Sequence, residues 1–177
     1  MAVETSDSFE ALEAQAAVIM AVFNEAAYER VAPSIIQPAD LFLDVVGEGL
    51  RARTYVFTDQ DGEALCLRPD ITVPAVRIYL QRHPRADVAA RYCYNGSVFR
   101  YQPGGGSAAH PREFRQAGLE LFGQIDEGKA DDEVMLRVLE AVTSAGLKAP
   151  RLRVGDLGLF AALLDAIDIP ERWRARL

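Results

Sequence analysis

Two long alternating segments set the strongest limits on how this chain can fold. Residues 91–101 and 112–123 place β-forming apolar side chains at about every second position, and residues 102–111 between them hold Gly104-Gly105-Gly106 and two prolines. A period of two belongs to a strand with one face buried, and a connection rich in glycine and proline breaks any continuous helix. The spacing therefore predicts a long-looped antiparallel pair. Along its second strand, Phe114, Gln116, Gly118, Glu120 and Phe122 fall on one face. Arg115, Ala117, Leu119 and Leu121 fall on the other, which reads as mostly core.

The remaining elements arrange themselves around this pair. Phe9, Leu12, Ala16, Ile19 and Phe23 form one apolar stripe and predict an amphipathic helix over 8–30, with Asp7 as N-cap and Glu10 as its capping-box partner. Residues 31–38, with Pro33, Pro38 and the pair Ile35-Ile36, read as extended, and a short helical piece follows over 39–50. Residues 54–58 and 63–67 read as a hairpin turning through Asp61-Gly62. A helix over 71–81 stops before His83-Pro84. Another spans 129–147, with Asp131, Asp132 and Glu133 at its start to complement the dipole. A short strand over 152–154, a helix over 157–167 and a basic helical run over 171–176 complete the reading.

Charge and composition narrow the function. With 19 basic and 26 acidic side chains the net charge is −7, which disfavours a surface for nucleic-acid phosphates. An acidic N-terminus and the absence of any apolar run of about 18 to 20 residues lead to the expectation of a cytoplasmic protein with no membrane partner. Cys66, Cys93, His83 and His110 show no CxxC or HxxxH spacing, so no metal and no other cofactor is expected. Residues 1–177 are expected to form a single domain.

The polar residues on the strand faces suggest where chemistry would sit. Gln116 and Glu120 flank Gly118, and a glycine inside a strand often marks a place where a ligand approaches the backbone. Arg100 shares a face of the first strand with Gly96 and Val98, and its planar fork suits a carboxylate or a phosphate. The alternative is a solvated sheet face on which Arg100 is the ion-pair neighbour of Gln116 and Glu120. Asp70, in Leu67-Arg68-Pro69-Asp70-Ile71-Thr72, is either the N-cap of the next helix or a carboxylate aimed into a pocket. The triple glycine lacks a GK[ST] ending and reads as a connector, one able to close over a ligand.

Taken in order, Tyr55-Val56-Phe57, Leu67-Arg68-Pro69-Asp70, Ser97-Val98-Phe99-Arg100-Tyr101-Gln102-Pro103 and residues 112–123 resemble the catalytic domain of histidyl-tRNA synthetases and their relatives. The Phe-Arg-Tyr element resembles motif 2 of class II aminoacyl-tRNA synthetases, and Pro33 stands where the motif 1 proline is expected. Synthetases typically have Glu-Gly-Thr where this chain has Asp70-Ile71-Thr72, and Glu where it has Gln102. Arg-Pro-Asp-x-Thr is instead similar to the ATP phosphoribosyltransferase regulatory subunits, paralogues without aminoacylation.

The resemblance implies an α+β fold, an antiparallel sheet flanked by helices, of which this chain is the N-terminal portion, truncated at its C-terminal end. It implies a non-catalytic regulator that binds L-histidine through Asp70, Thr72, Arg100, Gln116 and Glu120. The partners it implies are the short-form ATP phosphoribosyltransferase catalytic subunit and a second copy of the chain, met through the motif 1-like region. Two alternatives stand beside it: a histidyl-tRNA synthetase fragment, and a dimerising scaffold with a vestigial pocket.

Overall fold

The computed structural model describes residues 6–43, 48–107, 109–123 and 126–174. In chain order the elements are α1 (Ser6–Glu25), β1 (Glu29–Arg30), β2 (Ile36–Pro38), α2 (Asp40–Leu43), α3 (Glu48–Arg51), β3 (Tyr55–Thr58), β4 (Ala64–Leu67) and α4 (Thr72–Arg82). The two long strands β5 (Ala90–Phe99) and β6 (Glu113–Phe122) follow, then α5 (Glu127–Ser144), α6 (Leu157–Ala166) and α7 (Glu171–Arg174). The α+β class expected from the sequence holds. The antiparallel sheet is divided, however: β1-β5-β6 forms one three-stranded sheet and β2-β4-β3 another, and β1 joins β5 in parallel.

The β5–β6 ribbon is the central wall, and its register decides what meets across it. Tyr92 lies opposite Glu120, Tyr94 opposite Gly118, Gly96 opposite Gln116, and Val98 opposite Phe114. On one side α1 and α5 pack a core of Met20, Val22, Phe23, Tyr28, Cys93, Leu119 and Ala141. On the other, α4 delivers Ile71, Ala75 and Tyr79 against Tyr92, Tyr94 and Val98. Tyr79 stacks on Phe122 with ring centroids 4.3 Å apart, and its hydroxyl donates to the Val88 carbonyl at 2.7 Å.

A smaller cluster of Ala39, Phe42 and Cys66 lies beside the hairpin sheet. Both cysteines are free and buried; the Cys66 Sγ faces the Pro38 carbonyl and the Cys93 Sγ the Tyr28 carbonyl. The hairpin forms as expected, with Asp59 Oδ1 accepting from the amides of Asp61 and Glu63.

Several local expectations are corrected. α1 already includes Ser6, so Asp7 stands within its first turn and not before it. The helix ends at Glu25, because Ala27 turns left-handed at φ 60° and the Tyr28 amide bonds back to the Phe23 carbonyl. The helical piece over 39–50 becomes α2 and α3, with residues 44–47 outside the described ones. α5 starts earlier than expected because Asp126 caps it through the Lys129 amide, leaving Asp131, Asp132 and Glu133 a turn inside. Residues 152–154 form no strand, and Leu152 and Val154 are exposed. α6 keeps an apolar and largely exposed surface, with Leu157, Leu159 and Leu163 open to solvent. Among the described residues no helix is long and apolar enough to cross a membrane.

Candidate functional site

The five residues singled out from the sequence gather around the entry to α4. Asp70 stands one residue before the N-cap position, which is Ile71, and still satisfies the first turn of the helix, its Oδ1 accepting from the Val73 amide at 3.1 Å, which leaves Oδ2 uncommitted in that bond. Gln116 reaches across from β6, and its Oε1 accepts from the Ile71 amide at 2.9 Å. A free amide at a helix start needs such an acceptor, so Gln116 fastens α4 to the sheet. Its side-chain nitrogen is left to donate.

Arg100 follows β5, donates through Nε to the Pro69 carbonyl at 3.2 Å and lies over the Phe114 ring, 5.1 Å from its centroid. The ion pair of the solvated-face alternative is not formed among the described residues. That face is covered by α4, and Gln116 and Glu120 are both half-buried.

Thr72 and Glu120 are joined by a residue the sequence reading did not include. The Tyr94 hydroxyl donates to Glu120 Oε1 at 2.9 Å and lies 3.1 Å from Thr72 Oγ1. Tyr94 is buried, and that burial, aided by the nearby charges of Glu120 and Asp70, pushes its pKa well above the usual phenol value. It therefore stays a neutral hydroxyl at physiological pH.

The register also corrects the reading of Gly118. A Cβ placed there would lie 2.6 Å from the Tyr94 hydroxyl oxygen, so the missing side chain makes room for a tyrosine from the neighbouring strand and leaves no gap for a ligand. Gly96 plays the same part for Arg68, whose guanidinium occupies the space a side chain would need. Arg68 is buried, donates through Nε to the Ser97 carbonyl at 2.8 Å and through Nη1 to the Pro33 carbonyl at 2.5 Å, and burial lowers its pKa. It ties the segment around Pro33 to β5.

Gln102 is likewise committed. Its Oε1 accepts from Arg53 Nη2 at 2.7 Å and its Nε2 donates to the Pro111 carbonyl at 3.3 Å, closing the base of the glycine-rich connection. Tyr94 is signalled only by register, which sets it opposite Gly118, and Arg68 only by the three-dimensional approach of its guanidinium to Gly96.

A separate groove lies elsewhere. About 850 Å³ opens between the end of α1 and α5, lined by Arg91, Lys129, Asp132, Leu136 and Arg137 among others. Its carboxylate Glu133 is already satisfied, held by Arg91 at 3.0 and 3.1 Å and by the Tyr28 hydroxyl at 3.0 Å. Among the described residues no cluster of His, Cys, Asp and Glu is arranged for a metal.

What the α4 site offers is a set of acceptors, Asp70, Thr72 and Glu120, with the donors Arg100 and Gln116 nearby. Such a set suits a small zwitterion, because carboxylates answer an ammonium and a guanidinium answers an anion.

Comparisons place this geometry among known proteins. A family model described as histidyl-tRNA synthetase matches residues 5–177. The ATP phosphoribosyltransferase regulatory subunit of Brucella ovis is 38% identical over 150 residues, which make up 84% of this chain and 38% of that protein. The chain thus spans well under half the length of the curated relatives it matches. Among solved structures, an ATP phosphoribosyltransferase regulatory subunit/histidyl-tRNA synthetase from Bacillus halodurans superposes with a TM-score of 0.82 at 25% identity, covering 97% of this chain and 44% of that one. A histidine–tRNA ligase subunit from Alicyclobacillus acidocaldarius gives 0.79 at 25% identity, covering 99% and 50%. The class II synthetase-like fold expected from the motifs is the fold these superpositions show.

Proposed function

The chain belongs to the histidyl-tRNA synthetase family, and from that premise we propose that it acts as a non-catalytic regulatory subunit of ATP phosphoribosyltransferase, binding L-histidine at the α4 site. The observation that carries this reading is its 38% identity, over most of its length, to relatives bearing that name. Asp70 and Gln102 support it, since both stand where synthetases typically have a glutamate. Gln102 is neutral and engaged by Arg53, and Asp70 is one methylene shorter and occupied with the first turn of α4.

In this reading the free oxygens of Asp70 and Glu120, with Thr72, receive the ammonium and imidazole of histidine, and Arg100 receives its carboxylate. The Gln116 amide nitrogen donates from the floor. Charge-assisted bonds of this kind contribute about 1.5 to 3 kcal/mol each. Regulation is linkage: histidine favours the arrangement of the hetero-oligomer it binds better, and only that difference in affinity changes the rate of the short catalytic subunit. Self-association runs through the segment around Pro33, which Arg68 anchors to β5.

The test is formation of phosphoribosyl-ATP by the short catalytic subunit, with and without this protein, across a histidine titration. Stimulation that histidine reverses supports the reading. No effect, with no co-elution of the two proteins, removes it. The family model itself favours a second reading, histidine activation with ATP as in a synthetase. Histidine-dependent exchange of pyrophosphate into ATP by the chain extended to the length of its relatives would establish that reading, and absence of exchange in that longer protein would remove it.

A further inference from the structure

Three hydroxyl and carboxylate groups of the α4 site lie in one chain of hydrogen bonds, from exposed Thr72 through buried Tyr94 to half-buried Glu120. We propose that Tyr94 is a specificity-determining residue of this site, which fixes the polarity of Thr72 and Glu120 so that both present only acceptors to a bound ligand. The proposal deepens the histidine reading given above and rests on it.

The argument is one of proton counting. A tyrosine hydroxyl has a single proton to donate. Glu120 is a carboxylate and only accepts, so the Tyr94 proton is committed to Glu120 Oε1. The 3.1 Å contact between Thr72 Oγ1 and the Tyr94 oxygen must then be donated by Thr72. With its only proton spent inward, Thr72 keeps lone pairs alone for a ligand. Glu120 keeps Oε2, and Asp70 keeps the oxygen not bonded to Val73.

The resulting rim has no hydroxyl donor, so a ligand group placed there must bring its own N–H or O–H. An ammonium fits; a hydrogen or a hydroxyl-accepting group in its place leaves acceptors unpaired. Gly118 is part of the device, since any larger residue would push the Tyr94 ring from its seat. Burial keeps the hydroxyl protonated and the direction of the chain fixed.

The test compares L-histidine with its deaminated analogue, 3-(imidazol-4-yl)propionate, by calorimetry on the unsubstituted protein, on Tyr94→Phe and on Thr72→Val. Tyr94→Phe keeps the ring but removes the bridging hydroxyl, which frees the Thr72 proton. The expected result is a clear preference for histidine in the unsubstituted protein that falls roughly tenfold in Tyr94→Phe, the size expected for mispairing one polar group. Thr72→Val, which keeps the branched shape without the hydroxyl, is expected to lose a similar share of the preference. It decides the matter if Tyr94→Phe proves unfolded in thermal melts.

Equal weakening of both ligands in the variants means that Tyr94 serves only packing, and overturns the proposal while leaving the histidine site in place. An unchanged preference overturns it too. Failure of the unsubstituted protein to bind histidine overturns the underlying reading, and the proposal with it.

Discussion

The two faces of the β5–β6 ribbon are built from the same two strands and solve different problems. The face toward α1 and α5 is filled by Met20, Phe23, Cys93 and Leu119, with its charged pairs at the rim, Arg91 with Glu133 and Arg115 with Glu13. The face toward α4 carries Tyr92, Tyr94, Gln116 and Glu120, and two glycines open spaces in it for Tyr94 and Arg68. Volume governs the first face, and hydrogen-bond direction governs the second. An apolar wall tolerates any filling of the right size, whereas a polar one built on register admits few substitutes. The proposed ligand contacts lie on the second.

The largest expected effect breaks the first face. Phe23→Ala removes a ring that is 3% exposed, and is expected to cost about 3 to 5 kcal/mol in denaturant unfolding. In protein that remains folded, histidine affinity should be unchanged. A matching loss of affinity would mean that the two faces are not separable.

Next comes Gly118→Ala on the second face. The added Cβ meets the Tyr94 ring and hydroxyl, so overpacking should cost about 1 to 3 kcal/mol. Histidine binding should weaken as well, and stability lost with affinity intact would detach Tyr94 from the site.

A sharper comparison uses alkali, since each face holds one tyrosine with a raised pKa. Burial is the leading cause at both Tyr28 and Tyr94, with Glu133 adding to the first and Glu120 to the second. Their contribution is whole below the ordinary phenol value near 10 and fades as the pH rises above it, because the unfolded chain ionises first. Tyr28→Phe and Tyr94→Phe should each flatten the fall of stability above about pH 10. If neither does, the raised values are wrong.

The smallest effect lies at the rim. Hydrogen bonding from Arg91, assisted by Tyr28, holds the Glu133 carboxyl below its usual range. Its stabilisation is therefore present at neutral pH and disappears as the pH falls through that lowered value. Both partners are partly exposed, so Glu133→Gln should cost about 1 kcal/mol or less. The variant should also lose less stability than the parent on acidification, which thermal melts across pH 3 to 7 would read.

Part of the first face was legible in the sequence, because an apolar stripe announces its period: Ala16, Ile19 and Phe23 turn inward, whereas Phe9 and Leu12 are exposed and Met20 and Val22 join the core from outside the stripe. The hairpin and the long strand pair were legible for the same reason. The second face was legible in its residues but not in its use. Gly118 stands out as a glycine inside a strand, yet whether a ligand or a neighbouring side chain fills the space depends on the register that sets Tyr94 opposite it. Gln116 announced itself as polar on an inward face, but its bond to the Ile71 amide depends on where α4 begins. Residues 152–154 show the converse limit: their pattern suits a strand, and they pair with neither sheet. Local pattern records what a segment can be, and partners decide what it becomes.

The two buried thiols carry a consequence of another kind. Cys93 sits in the wall between α1 and the ribbon, and Cys66 in the small cluster beside the hairpin. Burial pushes Cys66 up to about 11 and raises Cys93 as well, so neither offers much thiolate near neutrality. An alkylating reagent then waits for each neighbourhood to come apart, and its rate of reaction at each site is a clock for that opening. The two native cysteines thus time the two sheets separately, and mass spectrometry of quenched samples would tell which one opens first.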